Sequence, residues 1–279
     1  MKIALDAMGG DNAPAAVIEG ARDALRKNAK IERVFLVGIR DQLAASCQKA
    51  ALTDPRVEII EATEVIEMHE PGAKAIRRKK DSSISVATDL VKSGEADAVV
   101  SAGNTGAMVA AATLKLRLLD GVERAGIASP LPNEYGICNI LDAGANPEAK
   151  PRHLVQYSLM GTAFARHVLD VDNPAVGLIS NGEEDEKGTA FTKETHALLR
   201  ETPGINFIGN VEGHDLFESK LDVVLCDGFT GNIVLKSCEA TAKAVAKWLK
   251  IELTRSPLRT LGAAMSRGAY AALRPPNAP

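Results

Sequence analysis

Aromatic residues make up 4% of the 279-residue chain, with a single tryptophan. So little π surface argues against a base-stacking or carbohydrate-binding platform. Charge of one sign is also missing. Lys and Arg number 33 against 36 Asp and Glu, a formal net charge of -3, so no global basic field attracts nucleic acid. The four cysteines, Cys47, Cys138, Cys226 and Cys238, show no CxxC spacing. They read as reduced thiols of a cytoplasmic protein. No secretory-type segment precedes the strand-like Lys2–Leu5, which supports the same expectation. No uninterrupted apolar run reaches the ~18 residues of a spanning helix, which leaves binding on a membrane surface open. GxSxG, HExxH and GxGxxG are absent, and His69, His153, His167, His196 and His214 have no metal-ligand spacing. The reading is therefore of a protein with no cofactor and no metal.

What is present is an ordinary globular composition, 46% hydrophobic and 25% charged. Short apolar runs alternate with helical ones. Strands are predicted at Lys2–Leu5, Arg33–Val37, Val57–Ile60, Ala98–Ser101, Gly126–Ser129, Asn139–Asp142, Ala175–Ile179, Asn206–Ile208 and Val223–Cys226. Helices are predicted at Pro14–Lys27, Asp41–Ala50, Ile84–Ser93, Gly106–Leu118, Arg152–Val168, Thr189–Arg200 and Gly231–Leu253. Most of the strands are continuous apolar runs rather than alternating ones, as in a sheet buried on both faces. With the β-then-α rhythm, this predicts an α/β fold with a doubly wound, mostly parallel sheet. Residues 1–255 read as one α/β catalytic domain, and 256–279 as an amphipathic helical segment with a frayed, proline-rich end. The stretch Gly121–Lys150 has few helix signals and reads as an antiparallel excursion. Apolar residues on several sides of Gly121–Val168 suggest a homodimer built partly from this region.

Four strand-to-helix turns stand out: DAMGGDNAP, SAGNTGA, ISNGEEDEKGT and CDGFTGN. Ligands of such sheets sit at the carboxyl ends of the strands. Each turn has glycine beside Asn, Asp or Thr and is followed by a helix. Glycine permits close backbone approach, and a helix start offers free N–H groups and a positive dipole end. One such turn is as readily a plain structural turn; four in one sheet favour an anion pocket. Lys187, within the acidic loop Asn181–Thr189, reads either as part of a solvated loop or as a cation held by Glu183 or Glu184 for an anionic substrate. The basic cluster Ile76–Ser83 reads as a solvated helix end or as a docking patch for an acidic partner or phosphate, with Ser82 and Ser83 also able to cap the next helix. Cys226, at a strand end beside Asp227, fits a buried structural thiol better than a nucleophile.

The segments DAMGGDNAP, KKDSSI, SAGNTGA, LDAGAN, NGEEDEKGT and CDGFTGN occur in that order between Leu5 and about Lys247. On them the chain resembles the bacterial PlsX family of phosphate acyltransferases. The resemblance implies a three-layer α/β/α fold related to phosphotransacetylase and isopropylmalate dehydrogenase. It implies transfer of a long fatty acyl group from acyl carrier protein to inorganic phosphate, giving acyl phosphate for phospholipid synthesis. Members of the family usually continue with a final strand beyond the point where this sequence ends, so that strand is expected to be missing here. Phosphate is already a nucleophile, so positioning and oxyanion donors matter more than a strong base. On this reading Asn104, Lys187 and Asn232 are the catalytic residues. Gly9, Gly10, Asp11, Ser82, Ser83, Gly103, Thr105, Gly106, Gly228, Thr230 and Gly231 bind phosphate or substrate, and Asp6 and Asp227 order the loops. A phosphotransacetylase-type enzyme using acyl-CoA and a non-catalytic membrane-associated scaffold are the alternatives.

The segment Ser256–Arg274 has no acidic residue. Wound at 100° per residue, it places Leu258, Leu261, Met265, Ala269, Ala272 and Leu273 on one face, with Arg267 and Arg274 opposite and Arg259 to the side. The pattern suits a helix lying on an anionic membrane at the inner face of the cell membrane, or meeting a membrane acyltransferase partner; it also suits packing on the protein body.

Overall fold

A computed structural model describes residues 1–272. The chain divides into two compact units, Met1–Gly121 and a second that begins at Val122. Each has its own mostly parallel sheet flanked by helices, so the predicted strands are shared between two sheets.

The first unit holds β1 (Lys2–Asp6), α1 (Ala15–Lys27), β2 (Arg33–Gly38), α2 (Arg40–Lys49), β3 (Val57–Glu61), α3 (Gly72–Arg78), α4 (Ser83–Lys92), β4 (Ala98–Ser101) and α5 (Thr105–Ala111). Its sheet order is β3-β2-β1-β4, all parallel. The continuous apolar run of β2 serves both faces by the two-residue period of a strand. Val34 and Leu36 pack with Ile18, Ala21 and Leu25 of α1; Phe35 and Val37 pack with Ala87 and Leu90 of α4. Each such fully buried side chain stabilises by about 1.5–3 kcal/mol. A third cluster joins Ala75 and Ile76 of α3 to Ala107 and Ala111 of α5.

The second unit holds β5 (Ala128–Asn133), β6 (Gly136–Leu141), α6 (Pro151–Val168), β7 (Ala175–Ile179), α7 (Ala190–Arg200), β8 (Asn206–Val211), α8 (Asp215–Glu218), β9 (Val223–Leu225), α9 (Gly228–Leu253), α10 (Pro257–Met265) and α11 (Arg267–Ala272). Its order is β5-β6-β9-β7-β8, with only β5 antiparallel. In β9 the period splits three fully buried residues: Val224 enters the core lined by Cys138, Ile140 and Leu216, while Val223 and Leu225 join Leu154, Tyr157 and Leu178.

All nine predicted strands are present, Ala98–Ser101 and Ala175–Ile179 with the predicted bounds and the other seven with shifted ends. The largest shift is β5, predicted at Gly126–Ser129. The strand runs on through Pro130 and Pro132 because β5 is the sheet edge, where a missing N–H goes unneeded. The antiparallel β5–β6 hairpin is the excursion expected between Gly121 and Lys150. The helix predicted at Gly106–Leu118 is α5 followed by a π-helical turn, Ala112–Leu116, ended by Arg117 at φ 70°. The helix α3 was read only as a helix end, one of the two readings of Ile76–Ser83; a seven-residue helix with two buried positions leaves too short a period to read in full. The single helix predicted over Ser256–Arg274 is broken at Ser266 into α10 and α11. Arg259 is ion-paired with Glu252, so it is not a free cation beside the apolar face. Leu273, Arg274 and the proline-rich end lie outside the described residues.

Two glycines separate packing from propensity. A Cβ on Gly231 of α9 would lie 2.0 Å from the carbonyl oxygen of Asp142, while one on Gly20 of α1 would meet nothing within 4 Å. Gly231→Ala is expected to destabilise by about 2–3 kcal/mol, and Gly20→Ala to stabilise by roughly 0.5–1 kcal/mol. Urea denaturation midpoints check both; equal shifts in one direction would contradict the packing of α9.

Candidate active site

In the first unit the turns after β1 and β4 lie against each other, because Asp6 and Ser101 are register partners. The buried Asp6 carboxylate accepts a hydrogen bond from Ser101 Oγ at 2.7 Å, and Ser101 Oγ accepts one from Gly103 N at 3.0 Å. A Cβ on Gly9 would lie 2.5 Å from Asp6 Oδ2 and 2.8 Å from Gly103 N. Gly10 sits at φ +99° with its Cα face on Ala102 O. Gly9, Gly10 and Gly103 are thus required by the approach of one turn to the other. Asp11 is exposed, as are Thr105 and Gly106. The N–H groups of Thr105 and Gly106, at the start of α5, make no hydrogen bond among the described residues.

Two expectations about donors are corrected here. Asn104 is buried, and its Nδ2 donates to the carbonyls of Glu67, Met68 and Glu70 at 3.1, 3.2 and 2.8 Å. Its Oδ1 accepts from Ala107 N at 3.0 Å as the cap of α5. An amide with two N–H groups has no donor left for an oxyanion. Asn104 is a clamp that ties the Glu67–Glu70 loop to α5. Ser82 and Ser83 are buried as well. Ser82 Oγ donates to Lys79 O at 2.8 Å and does not cap α4, so neither serine offers a hydroxyl to a ligand at the surface.

In the second unit the organising group is Asp142, fully buried at the end of β6. Its Oδ1 accepts from Ile127 N, Gly144 N and Ala145 N at 2.9–3.0 Å, and its Oδ2 from Asn146 N at 2.6 Å. The start of α9 packs on this knot: a Cβ on Gly228 would lie 2.8 Å from Asp142 Oδ2. Gly228 and Gly231, expected to face substrate, are buried against the LDAGAN loop instead. Asn232 is exposed beside Gly144, within 3.6–3.8 Å of where that residue's Cβ would be, and its amide is unpartnered among the described residues. Asp227 caps α9, accepting from Thr230 N at 2.9 Å and Thr230 Oγ1 at 2.7 Å.

A cavity of ≈ 450 Å³ opens at the carboxyl ends of β7 and β9. Ser180, Asn181, Gly188, Thr189, Asp227 and Thr230 supply its polar wall. Thr189 caps α7, and the N–H groups of Ala190 and Phe191 in α7 and Phe229 in α9 are unbonded among the described residues. Ser180 Oγ is buried with no hydrogen-bond partner. Ser180, Asn181 and Thr189 were not singled out from the sequence; their signal was position, directly after β7 and directly before α7. Lys187 is exposed and its methylenes lie over Gly182. Of the two readings, the one with Lys187 held by Glu183 or Glu184 is not met: it makes no ion pair with either, and among the described residues its ammonium group is free. Asp185 instead pairs with Arg200 at 2.6 Å and faces His196 Nε2 at 3.3 Å, which ties the loop to α7.

Cys226 lines the same cavity, but burial, with the Asp227 and Asp142 carboxylates beside it, pushes its thiol well above the usual range. Burial likewise pushes Cys138 up to about 12. A protonated thiol is a poor nucleophile. Among the described residues, Glu183, His214 and Asp215 have ligand atoms within 4.8 Å of one another, but two of the three are exposed and Asp215 already accepts from Glu212 N and Ser219 Oγ. A thiol reagent at about pH 8 is expected to label the partly exposed Cys47 and Cys238 before Cys138 and Cys226. Mass mapping of the labelled sites checks this; early labelling of Cys226 would mark it as a reactive thiolate.

The model of a family described as fatty acid synthesis protein matches residues 1–274. A phosphate acyltransferase of Akkermansia muciniphila is 60% identical over 279 residues, covering 98% of this chain and 80% of the relative. One of Citrifermentans bemidjiense is 49% identical over 270 residues, covering 97% and 76%. Among solved structures, the EutD phosphotransacetylase from Staphylococcus aureus aligns with a TM-score of 0.59 at 18% identity, over 87% of this chain and 82% of that one. A phosphotransacetylase from Streptococcus pyogenes aligns with a TM-score of 0.61 at 18% identity over the same shares. At that identity the likeness concerns the fold alone.

Proposed function

The chain belongs to this fatty acid synthesis protein family and is an enzyme that transfers acyl groups to phosphate, and from that premise we propose that its donor is a long-chain acyl thioester of acyl carrier protein. The observation that carries the reading is the polar cavity at the starts of α7 and α9, with unbonded N–H groups and an unpartnered Ser180 hydroxyl. Two helix N-termini suit an anion without a metal or a basic pocket. The free ammonium of Lys187, one residue from the cavity wall at Gly188, is the mobile countercharge.

In this mechanism a phosphate oxygen attacks the thioester carbonyl carbon. The carbonyl π bond becomes an oxyanion, which the helix-start N–H groups and Lys187 stabilise. The C–S bond then breaks as the carbonyl re-forms, and the carrier leaves as a thiol after taking up a proton. Asn232 is assigned to the acyl side. Asp6, Asp142 and Asp227 hold loops. No covalent acyl-enzyme is needed.

The test is thiol release from palmitoyl-acyl carrier protein with and without inorganic phosphate. Release is expected to require phosphate, and Lys187→Ala is expected to lower turnover about a hundredfold with the fold intact. Phosphate-independent release or full activity of Lys187→Ala would count against the mechanism, and equal preference for palmitoyl-CoA would count against the carrier-borne donor.

We propose further that the enzyme works as a homodimer on a membrane surface. Leu159, Phe164 and Val168 expose apolar surface along α6, in the region expected to meet a second copy. On α10, Leu258, Leu261 and Met265 are 80%, 59% and 82% exposed, so this face does not pack on the described protein body. No helix among the described residues is long and apolar enough to cross a membrane. Wild type is expected to co-sediment with anionic liposomes at low salt, and Leu258→Glu/Leu261→Glu to stay in the supernatant. Equal pelleting of the two proteins would rule α10 out as the contact.

A further inference from the structure

Five cations occupy the seven residues Lys74–Lys80, on a chain whose net charge is -3. They lie on α3 and just beyond it. Ala75 and Ile76 are buried against Ile84, Ala107 and Ala111, which turns the rest of the helix outward. Arg78 and Lys79 both bond the Glu70 carboxylate, at 2.8 and 2.5 Å. The Lys79 hydrogen bond, with help from Glu67 N and Arg78, holds that carboxyl below its ordinary range. The local acid is therefore already neutralised. The side chains of Lys74, Arg77 and Lys80 are exposed and make no hydrogen bond or ion pair among the described residues. Three unpaired cations are thus held within one short segment.

The segment is fixed to the framework of the first unit. A Cβ on Gly72 would lie 2.2 Å from Ala107 N and 2.3 Å from the carbonyl carbon of Gly106, so the start of α3 touches the start of α5 backbone to backbone. Asn104 clamps the loop leading into α3 through the carbonyls of Glu67, Met68 and Glu70. A partner seated on α3 would therefore lie beside the start of α5.

We infer that the exposed face of α3, through Lys74, Arg77 and Lys80, docks an acidic protein surface, that of the carrier which presents the acyl thioester. The inference rests on the reading of the donor as carrier-borne. Charge complementarity of this kind sets encounter rate and register more than it adds affinity. A membrane is the weaker occupant, because a lipid-facing helix needs large apolar side chains to insert. The outward positions of α3 are Ala73, Lys74, Arg77 and Arg78. Nucleic acid is weaker still, since no aromatic side chain interrupts the cations for base stacking.

The experiment measures binding separately from turnover. Fluorescently labelled acyl carrier protein is titrated with the full chain, and anisotropy is read at low and moderate salt. Lys74→Glu/Arg77→Glu/Lys80→Glu is expected to raise Kd at least about tenfold at low salt and to flatten the salt dependence, with an unchanged thermal melt. The corresponding triple Gln variant is expected to fall between. Phosphate-dependent thiol release from an acyl-N-acetylcysteamine thioester, which has no carrier, is expected to be unaltered by either variant. Unchanged carrier binding overturns the inference, as does loss of pelleting with anionic vesicles while carrier binding is kept. An equal loss of turnover with the small thioester also overturns it, since the cations would then act at the reacting centre. Failure of the catalytic reading looks different: wild type would bind the carrier through α3 and release no thiol in response to phosphate.

Discussion

The Asp142 carboxylate accepts four backbone N–H groups, from Ile127, Gly144, Ala145 and Asn146. Through them it joins the lead into β5, the end of β6 and the LDAGAN loop. Its carbonyl side receives α9: Gly231 rests on Asp142 O, and Cys226 Sγ donates to the same oxygen at 3.5 Å. A buried carboxylate is tolerable only when its lone pairs are filled, and N–H donors fill them without importing a second charge. The direction in which α9 leaves β9, and so the wall of the neighbouring cavity, depends on this one group. Asp6 plays a smaller version of the part in the first unit, where Ser101 Oγ and Met8 N are its partners.

This constraint changes what the glycine-rich turns mean. Gly9, Gly228 and Gly231 are glycine because chain meets chain at distances no Cβ permits. The capacity to hold an anion resides in what such packing leaves over: the unbonded N–H groups of Thr105, Gly106, Ala190, Phe191 and Phe229, and the hydroxyl of Ser180. Close packing and anion affinity come from one cause, since a helix that starts hard against a loop has its first N–H groups aimed at whatever fills the remaining space. The lysine of the acidic loop fits the same pattern. The carboxylates around it are exposed or, like Asp185, turned to Arg200, which leaves its ammonium free.

Surface chemistry differs from element to element. Lys74, Arg77 and Lys80 present cations on and just beyond α3, α10 exposes Leu258, Leu261 and Met265, and Arg255 and Arg259 are drawn back to Glu252.

The strands were most legible where a run of apolar residues is served by cores on both sides, as in Arg33–Gly38 and Val223–Leu225. The turns were legible because Gly, Asn, Asp and Thr cluster after those runs, and the six segments carried the family. That much is local chemistry, and the sequence determined it alone. Tertiary structure decided which groups in the turns remain available. Asn104 has the residue type of an oxyanion donor, but three carbonyls thirty-four to thirty-seven residues away take its N–H groups. Ser82 loses its hydroxyl to Lys79 O, whereas Ser180, unremarkable in sequence, keeps its own. Hydrogen-bond capacity is finite and is claimed first by whichever partners the fold brings near. A residue's chemistry can therefore be read from its name, while its freedom to use that chemistry is settled only by its neighbours in space.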